Sequence, residues 1–206
     1  MILETIVVGP MEVNCYILAR GKNTQAVIID PGAEERKINN VLKKHSLTPG
    51  IVINTHGHYD HIGCDEKFGV PVYVHPDDAA MLRDPKLNLS GFFAIPYKVA
   101  AEIKTLREGE AVEADGIALK VLHIPGHTRG GIALVLLEPE HGVVFTGDTL
   151  FCQGIGRSDL DGGDAELLAR SIRDKLFVLP DATRVYPGHG PSSTIGEEKQ
   201  SNPYIS

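Results

Sequence analysis

The sequence predicts an α/β fold made of two similar halves, and three observations carry that expectation. Short apolar runs alternate with turns marked by glycine and proline along the whole chain. Each half holds one longer segment whose apolar residues recur at helical spacing. The order strands, helix, strand occurs twice. Two sheets packed face to face with helices outside would bury all these runs, although periodicity alone leaves that arrangement open.

In chain order, LETIVV (3–8), NCYILA (14–19) and AVIID (26–30) read as strands, closed by Pro31-Gly32. Ile38, Val41 and Leu42 are spaced as on one helix face, which predicts a helix over 34–45. IVIN (51–54) and VPVYV (70–74) are strands, and Pro76 suits the first turn of a helix over 76–83. Residues 84–103 show no clean period and are expected to form an irregular loop with one short helix at most, a length that often signals function. ALKVLHI (118–124), IALVLLE (132–138) and GVVFTG (142–147) are strands. A helix follows over 164–179 with Asp164 as its N-cap, and then a last strand, TRVYPG (183–188), and a polar tail.

A length of 206 residues suits one domain spanning 1–206, and 42% hydrophobic residues suffice for its core. A net charge of -7 without any Lys/Arg block argues against a nucleic-acid partner. The N-terminal stretch carries Glu4, Glu12 and a Gly-Pro pair, so neither a signal peptide nor a membrane span is expected there. Cys15, Cys64 and Cys152 form an odd set with no CxxC, which argues against a disulfide framework and for a reducing cytoplasm. Nothing in the sequence defines the oligomeric state.

Four strand-like runs each end on metal-type ligands. IVIN leads to THGHYDH with His56, His58, Asp60 and His61; VLHI leads to PGHT with His127; GVVFTG leads to Asp148; RVYPG leads to His189. Glycines beside these residues allow tight turns and close backbone approach. Imidazole with carboxylate suits borderline divalent metals, zinc first, with iron or manganese also accepted. Seven ligands exceed the need of one tetrahedral ion, and two ions about 3.5–4 Å apart sharing a carboxylate would use them all. Of the other histidines, His75 and His123 lie at or near strand ends and are the candidates for supporting the ligands. Cys152, four residues past Asp148, is expected to be a small buried apolar residue.

THGHYDH, PGHT, GDTLF and PGHG in this order resemble the metallo-β-lactamase superfamily, over most of the chain up to Gly190. The resemblance implies an αββα sandwich of two mixed sheets with outer helices. It also implies a dinuclear site: His56, His58 and His127 on one metal, Asp60, His61 and His189 on the other, and Asp148 between them. His61 looks like the glyoxalase II type, and GDTLFCQGIGRSDL (147–160) and the tail 188–205 are similar to short hydroxyacylglutathione hydrolase-like proteins. The function implied is hydrolysis of a small-molecule thioester such as S-lactoylglutathione, by water activated between two metals, with Asp60 also orienting that water. Full-length glyoxalase II holds glutathione with a C-terminal helical domain. This chain ends about 17 residues after His189, so that domain is expected to be absent and substrate recognition to fall to loops 84–103 or 152–160. Arg157 is a candidate anion contact there, against the alternative of a structural ion pair to Asp159 or Asp161. Persulfide dioxygenases share the HxHxDH cluster and use one iron on residues matching His56, His127 and Asp148, so they form the rival; a lactonase or other ester hydrolase is a second.

Overall fold

Seven consecutive residues, Val13–Ala19, are buried without a break, although a strand sends alternate side chains to opposite faces. Val13, Cys15, Ile17 and Ala19 enter one apolar cluster, and Tyr16 and Leu18 enter another. A strand buried on both faces belongs inside a layered structure. The computed structural model, which describes residues 1–205, has that layering.

The first sheet runs β1 (Ile2–Val8), β2 (Val13–Ala19), β3 (Gln25–Ile29), β4 (Thr48–Ile53), β5 (Val72–Val74) and β6 (Ile103–Thr105) in that spatial order. β1 to β3 pair antiparallel, and β3 to β6 pair parallel. Helix α1 (Glu35–Lys44) makes the β3–β4 crossover and buries Ile38 and Leu42 on the outer face of this sheet. A single turn, α2 (Tyr59–Ile62), follows β4.

The second sheet contains β7 (Ala111–Ala114), β8 (Ile117–His123), β9 (Ile132–Glu138) and β10 (Val143–Gly147). After a two-stranded hairpin of β11 (Leu150–Phe151) and β12 (Gly154–Ile155) come β13 (Arg184–Pro187) and β14 (Ser193–Thr194). Its spatial order is β14-β13-β10-β9-β8-β7, with β10 and β13 parallel. Helices α3 (Ala165–Ser171) and α4 (Ile195–Ser201) cover its outer face through Leu168 and Ile195, which meet Val144 and Val185. Between the sheets, Ile29 and Ile53 face Leu134 and Phe145. The layers are therefore helix, sheet, sheet, helix, as expected.

Two local expectations fail, and one helix lies where none was predicted. The segment 76–83 is not an α-helix but a run of turns ending in a 3-10 turn, Met81–Arg83. The Asp78 carboxylate is held by the Gly57 N–H, the Thr128 hydroxyl and the Gly130 N–H at 3.1, 2.7 and 2.7 Å, and the backbone bonds there run three residues back rather than four. The polar tail is ordered, because Thr194 caps α4 by accepting from the Glu197 N–H while Ile195 and Ile205 fill the outer core. The second-half helix has Asp164 as its N-cap, as expected, but α3 passes into a π-helical turn at Ile172–Leu176. Loop 84–103 is irregular, with a 3-10 turn at Ser90–Phe93, and gives way at its end to β6. Among the described residues, no helix is long and apolar enough to cross a membrane.

β4, β8, β10 and β13 all deliver ligand-type residues just past their C-terminal ends, on one edge of the sandwich. Backbone and side-chain bonds lock the two sheets together at that edge. The Asn14 N–H donates to the Gly188 carbonyl at 2.7 Å, the Tyr16 hydroxyl to the Pro187 carbonyl at 2.6 Å, and the Ile132 N–H to the Thr55 carbonyl at 2.8 Å.

Candidate metal centre

The seven residues expected from the sequence converge at this edge. His56, His58 and His127 form one group of ligand atoms, Asp60, His61 and His189 a second, and His56, His61 and Asp148 a third that joins them. The His127 Nε2 and His58 Nδ1 atoms are 3.0 Å apart. One Asp148 oxygen lies 3.4 Å from His61 Nε2, and the other lies 3.5 Å from His189 Nε2 and 3.8 Å from His127 Nε2. The Asp60 carboxylate sits 3.7 Å from His61 Nε2 and 3.6 Å from His189 Nε2. Asp148 is thus the residue that reaches both groups.

The imidazoles are oriented from behind. His189 Nδ1 lies 2.9 Å from the Met11 carbonyl, and His127 Nδ1 lies 2.7 Å from the Arg157 carbonyl. His61 Nδ1 lies 3.0 Å from the Asp30 carboxylate. The Thr55 hydroxyl donates to Asp30 at 2.7 Å and so is left to accept from His56 Nδ1 at 3.2 Å. Carbonyls and carboxylates only accept, so each of these four Nδ1 atoms carries the proton and each Nε2 is turned inward. The Nε2 atoms of His56 and His61 and one oxygen of Asp148 are buried with no hydrogen-bond partner. Orphaned buried polar atoms are rare because each is costly; divalent cations beside them would satisfy all three, so the donor set fits metal.

Electrostatics point the same way. Burial and the surrounding imidazoles hold His56 well below the ordinary histidine pKa, and burial with His127 pushes His58 down to about 3, so both are neutral and ligand-ready. Burial alone would raise the Asp148 carboxyl, but His61, His127 and His189 overcome it and hold it well below the carboxylate range. Burial likewise opposes ionisation of Asp60, yet His61 and His189 keep it low. Burial would lower His61, but Asp148, Asp60 and Asp30 around it push it well up. Three carboxylates converging on one buried ring mark a pocket that calls for positive charge.

Glycines give the site its closeness. A Cβ on Gly188 would overlap Asp148 Oδ1 and stand 2.8 Å from His61 Cε1. We expect Gly188→Ala to weaken metal binding by on the order of tenfold or more, read by competition against a colorimetric chelator; unchanged affinity would remove the close-packing explanation.

Asp30 is the site residue that the sequence reading did not single out. It sits at the end of β3 with φ 51, is buried, and also accepts from the Thr55 N–H at 2.8 Å. Its one sequence signal is that it closes AVIID just before Pro-Gly, which reads equally well as a turn. Asp78 was hidden in the same way inside an apparent helix. His75 and His123 do not support the ligands as expected. They stack on each other, 3.9 Å between centroids and 9° between planes, at the ends of β5 and β8, and their ring bonds go to the Asp77 N–H and the Arg129 carbonyl. Parallel rings keep their lone pairs from converging, so this pair with Asp77 is a poor ligand set despite its proximity. Cys152 is exposed rather than buried and lies beside Glu198 of α4, because the β11–β12 hairpin turns it away from the ligands. Arg157 forms a surface fork with Asp159, with two bonds of 2.8 Å, so a substrate anion would have to compete with that pair.

This chain belongs to the metallo-β-lactamase superfamily, whose family model matches residues 8–189. It is 38% identical to Probable metallo-hydrolase YqgX of Bacillus subtilis, over 96% of this chain and 94% of that protein. It is 36% identical to Hydroxyacylglutathione hydrolase GloC of Haemophilus influenzae, over 100% of this chain and 98% of that protein. Among solved structures, BLEG-1 B3 metallo-beta-lactamase is similar with a TM-score of 0.91 and 37% identity, covering 100% of both chains. TTHA1623 in a di-iron-bound form has a TM-score of 0.83 and 35% identity, covering 98% of this chain and 100% of that one. ETHE1 from Myxococcus xanthus has a TM-score of 0.78 and 30% identity, covering 98% of this chain and 84% of that one.

Proposed function

We propose that the protein is a dinuclear metallo-hydrolase that cleaves thioesters, of the glyoxalase II type. His56, His58 and His127 would hold one ion, Asp60, His61 and His189 the other, and Asp148 would serve both. The observation that carries this is the set of four imidazoles whose Nδ1 protons are all taken from behind, while the Nε2 atoms of His61, His127 and His189 face the carboxylates of Asp60 and Asp148. The 36% identity to GloC and the segment 147–160 support the thioester class. Zinc is the metal we favour, with iron or manganese accepted by the same donors.

A pair of divalent ions, when bound, lowers the pKa of water towards ~7 and polarises a carbonyl. The chain's own groups do the rest. Asp60, kept ionised by His61 and His189, would accept a hydrogen bond from the attacking water and so fix the direction of its lone pair. Asp30 and the Met11 and Arg157 carbonyls hold the imidazoles in register. The water oxygen ends on the acyl carbon, the C–S bond breaks, one water proton goes to the departing sulfur and the other to solvent, leaving a carboxylate and a thiol. A thiolate leaves readily, so no strong general acid is needed. Neither buried Cys64 nor outward-facing Cys152 is placed to act as a nucleophile.

Thiol release from S-lactoylglutathione and from simple acyl thioesters tests the proposal. Turnover should disappear on chelation and return with zinc, iron or manganese. Metal-loaded protein that releases thiol from none of them would overturn it.

A further inference from the structure

Loop 84–103 is held as if its outer surface had a use. Asn88 and Ser90 are fully buried, and they tie the loop to itself: Asn88 Nδ2 donates to the Met81 and Tyr97 carbonyls at 3.0 Å each, and the Tyr97 N–H donates to Ser90 Oγ at 2.9 Å. The Tyr59 N–H donates to the Asn88 carbonyl at 2.9 Å, which anchors the loop to the ligand-bearing segment itself. Leu89 and Ala94, at either end of the 3-10 turn, take left-handed backbone at φ 71 and 58, a conformation that non-glycine residues adopt only under constraint. What this buried network presents to solvent is apolar: Phe92 is 80% exposed, Phe93 50% and Ile95 60%.

Phe93 joins that surface to the segment carrying the candidate ligands. The Phe93 ring packs on Tyr59 with centroids 5.0 Å apart, and Tyr59 stands between His58 and Asp60 in the chain. The Tyr59 hydroxyl lies 3.7 Å from Met11 Sδ, and the Met11 carbonyl orients His189. Met11 is itself exposed. On the His127 side, by contrast, Arg129 and Arg157 are paired with Asp161 and Asp159. An apolar wall thus adjoins the candidate site, while the two nearby guanidinium groups are each paired with a carboxylate.

We propose that Met11, Tyr59, Phe92, Phe93 and Ile95 receive the apolar acyl group of the thioester, so that the substrate class is acyl thioesters with an aliphatic or aromatic acyl chain. This rests on the hydrolase assignment above and narrows it. Water would be displaced from these side chains only when substrate binds, and the rigid loop would lose little further entropy.

The test uses saturated acyl thioesters of one small neutral thiol, N-acetylcysteamine, from acetyl to octanoyl, alongside S-lactoylglutathione. We expect kcat/KM to rise about twofold for each added methylene, roughly half the effect of full burial. At equal metal content, Phe93→Ala and Phe92→Ser should each lower kcat/KM for the octanoyl ester by on the order of tenfold relative to acetyl. Val178→Ser, an exposed apolar residue elsewhere, should leave the chain-length profile unchanged. Calorimetric binding of octanoate, the product, should weaken in Phe93→Ala by a similar factor, with or without turnover. Hydrolysis that is indifferent to acyl length, or a strong preference for S-lactoylglutathione, would overturn the wall and leave the hydrolase standing. No hydrolysis of any thioester would sink the hydrolase, and the octanoate arm would then decide the wall alone. A dimer abolished by Phe92→Ser would assign the patch to a second copy of the chain and overturn the proposal.

Discussion

Asp148→Ala is expected to leave the protein with less than one metal ion per chain and to lower thioester hydrolysis by at least about three orders of magnitude, near 4 kcal/mol of barrier. The reason is position. Asp148 is the carboxylate within reach of His61, His189 and His127 together, so it belongs to both ligand groups, and one of its oxygens is buried without a donor. Removing it does not merely subtract a ligand from one ion but takes away the negative charge that lies between the two groups. The fold should survive at a cost, because His61, His127 and His189 lose the carboxylate that they surround. The variant stripped of metal should still melt in one cooperative transition, a few degrees below the equally stripped parent. Elemental analysis of the variant, read with its melting curve, checks this. Two ions retained, or parental hydrolysis, would refute the bridging role.

Asp30→Ala should have the second largest effect, and through a different route. Asp30 touches no metal position; it accepts from the Thr55 N–H, the Thr55 hydroxyl and His61 Nδ1. Its loss strands buried donors at roughly 1–3 kcal/mol each, so the metal-free protein should lose roughly 3–5 kcal/mol of stability in denaturant melts. Metal affinity should fall by about 10–100-fold because His61 loses its orienting partner and the Thr55 hydroxyl behind His56 loses its own. Asp30→Asn should be milder. Asparagine tolerates the left-handed backbone at this position, and its carbonyl oxygen can still accept from Thr55, but its amide cannot accept from His61. If Asn instead behaves like the parent, acceptance by the second carboxylate oxygen is not what holds His61.

How much of this was legible in the sequence follows from how local each signal is. The candidate ligand positions, which the structure brings together, were legible because imidazole and carboxylate at four strand ends have no ordinary structural explanation as a set, and each stands within a few residues of an apolar run. The layered architecture was legible from the strands–helix–strand order that occurs twice and from the resemblance, while the fully buried run of β2 shows why the layers form. Asp30 was not, because its partners Thr55 and His61 are brought to it only by the parallel pairing of β3 with β4. The helix expected over 76–83 obeyed local propensity, and a tertiary demand overrode it: Asp78 ties the THGHYDH loop to the PGHT loop. The tail was a different failure. Thr194 and Glu197 form a readable capping box, and the density of polar residues around it obscured the two isoleucines that dock the segment.

The measurement that bears most directly on the central claim is metal content of the purified protein taken together with its reaction. Two divalent ions per chain, with thiol release that scales with occupancy and no oxygen uptake, is the predicted result. A single iron per chain, with oxygen consumed on glutathione persulfide and no thioester turnover, would contradict it and move the site, with His56, His127 and Asp148 as its ligands, to the dioxygenase class.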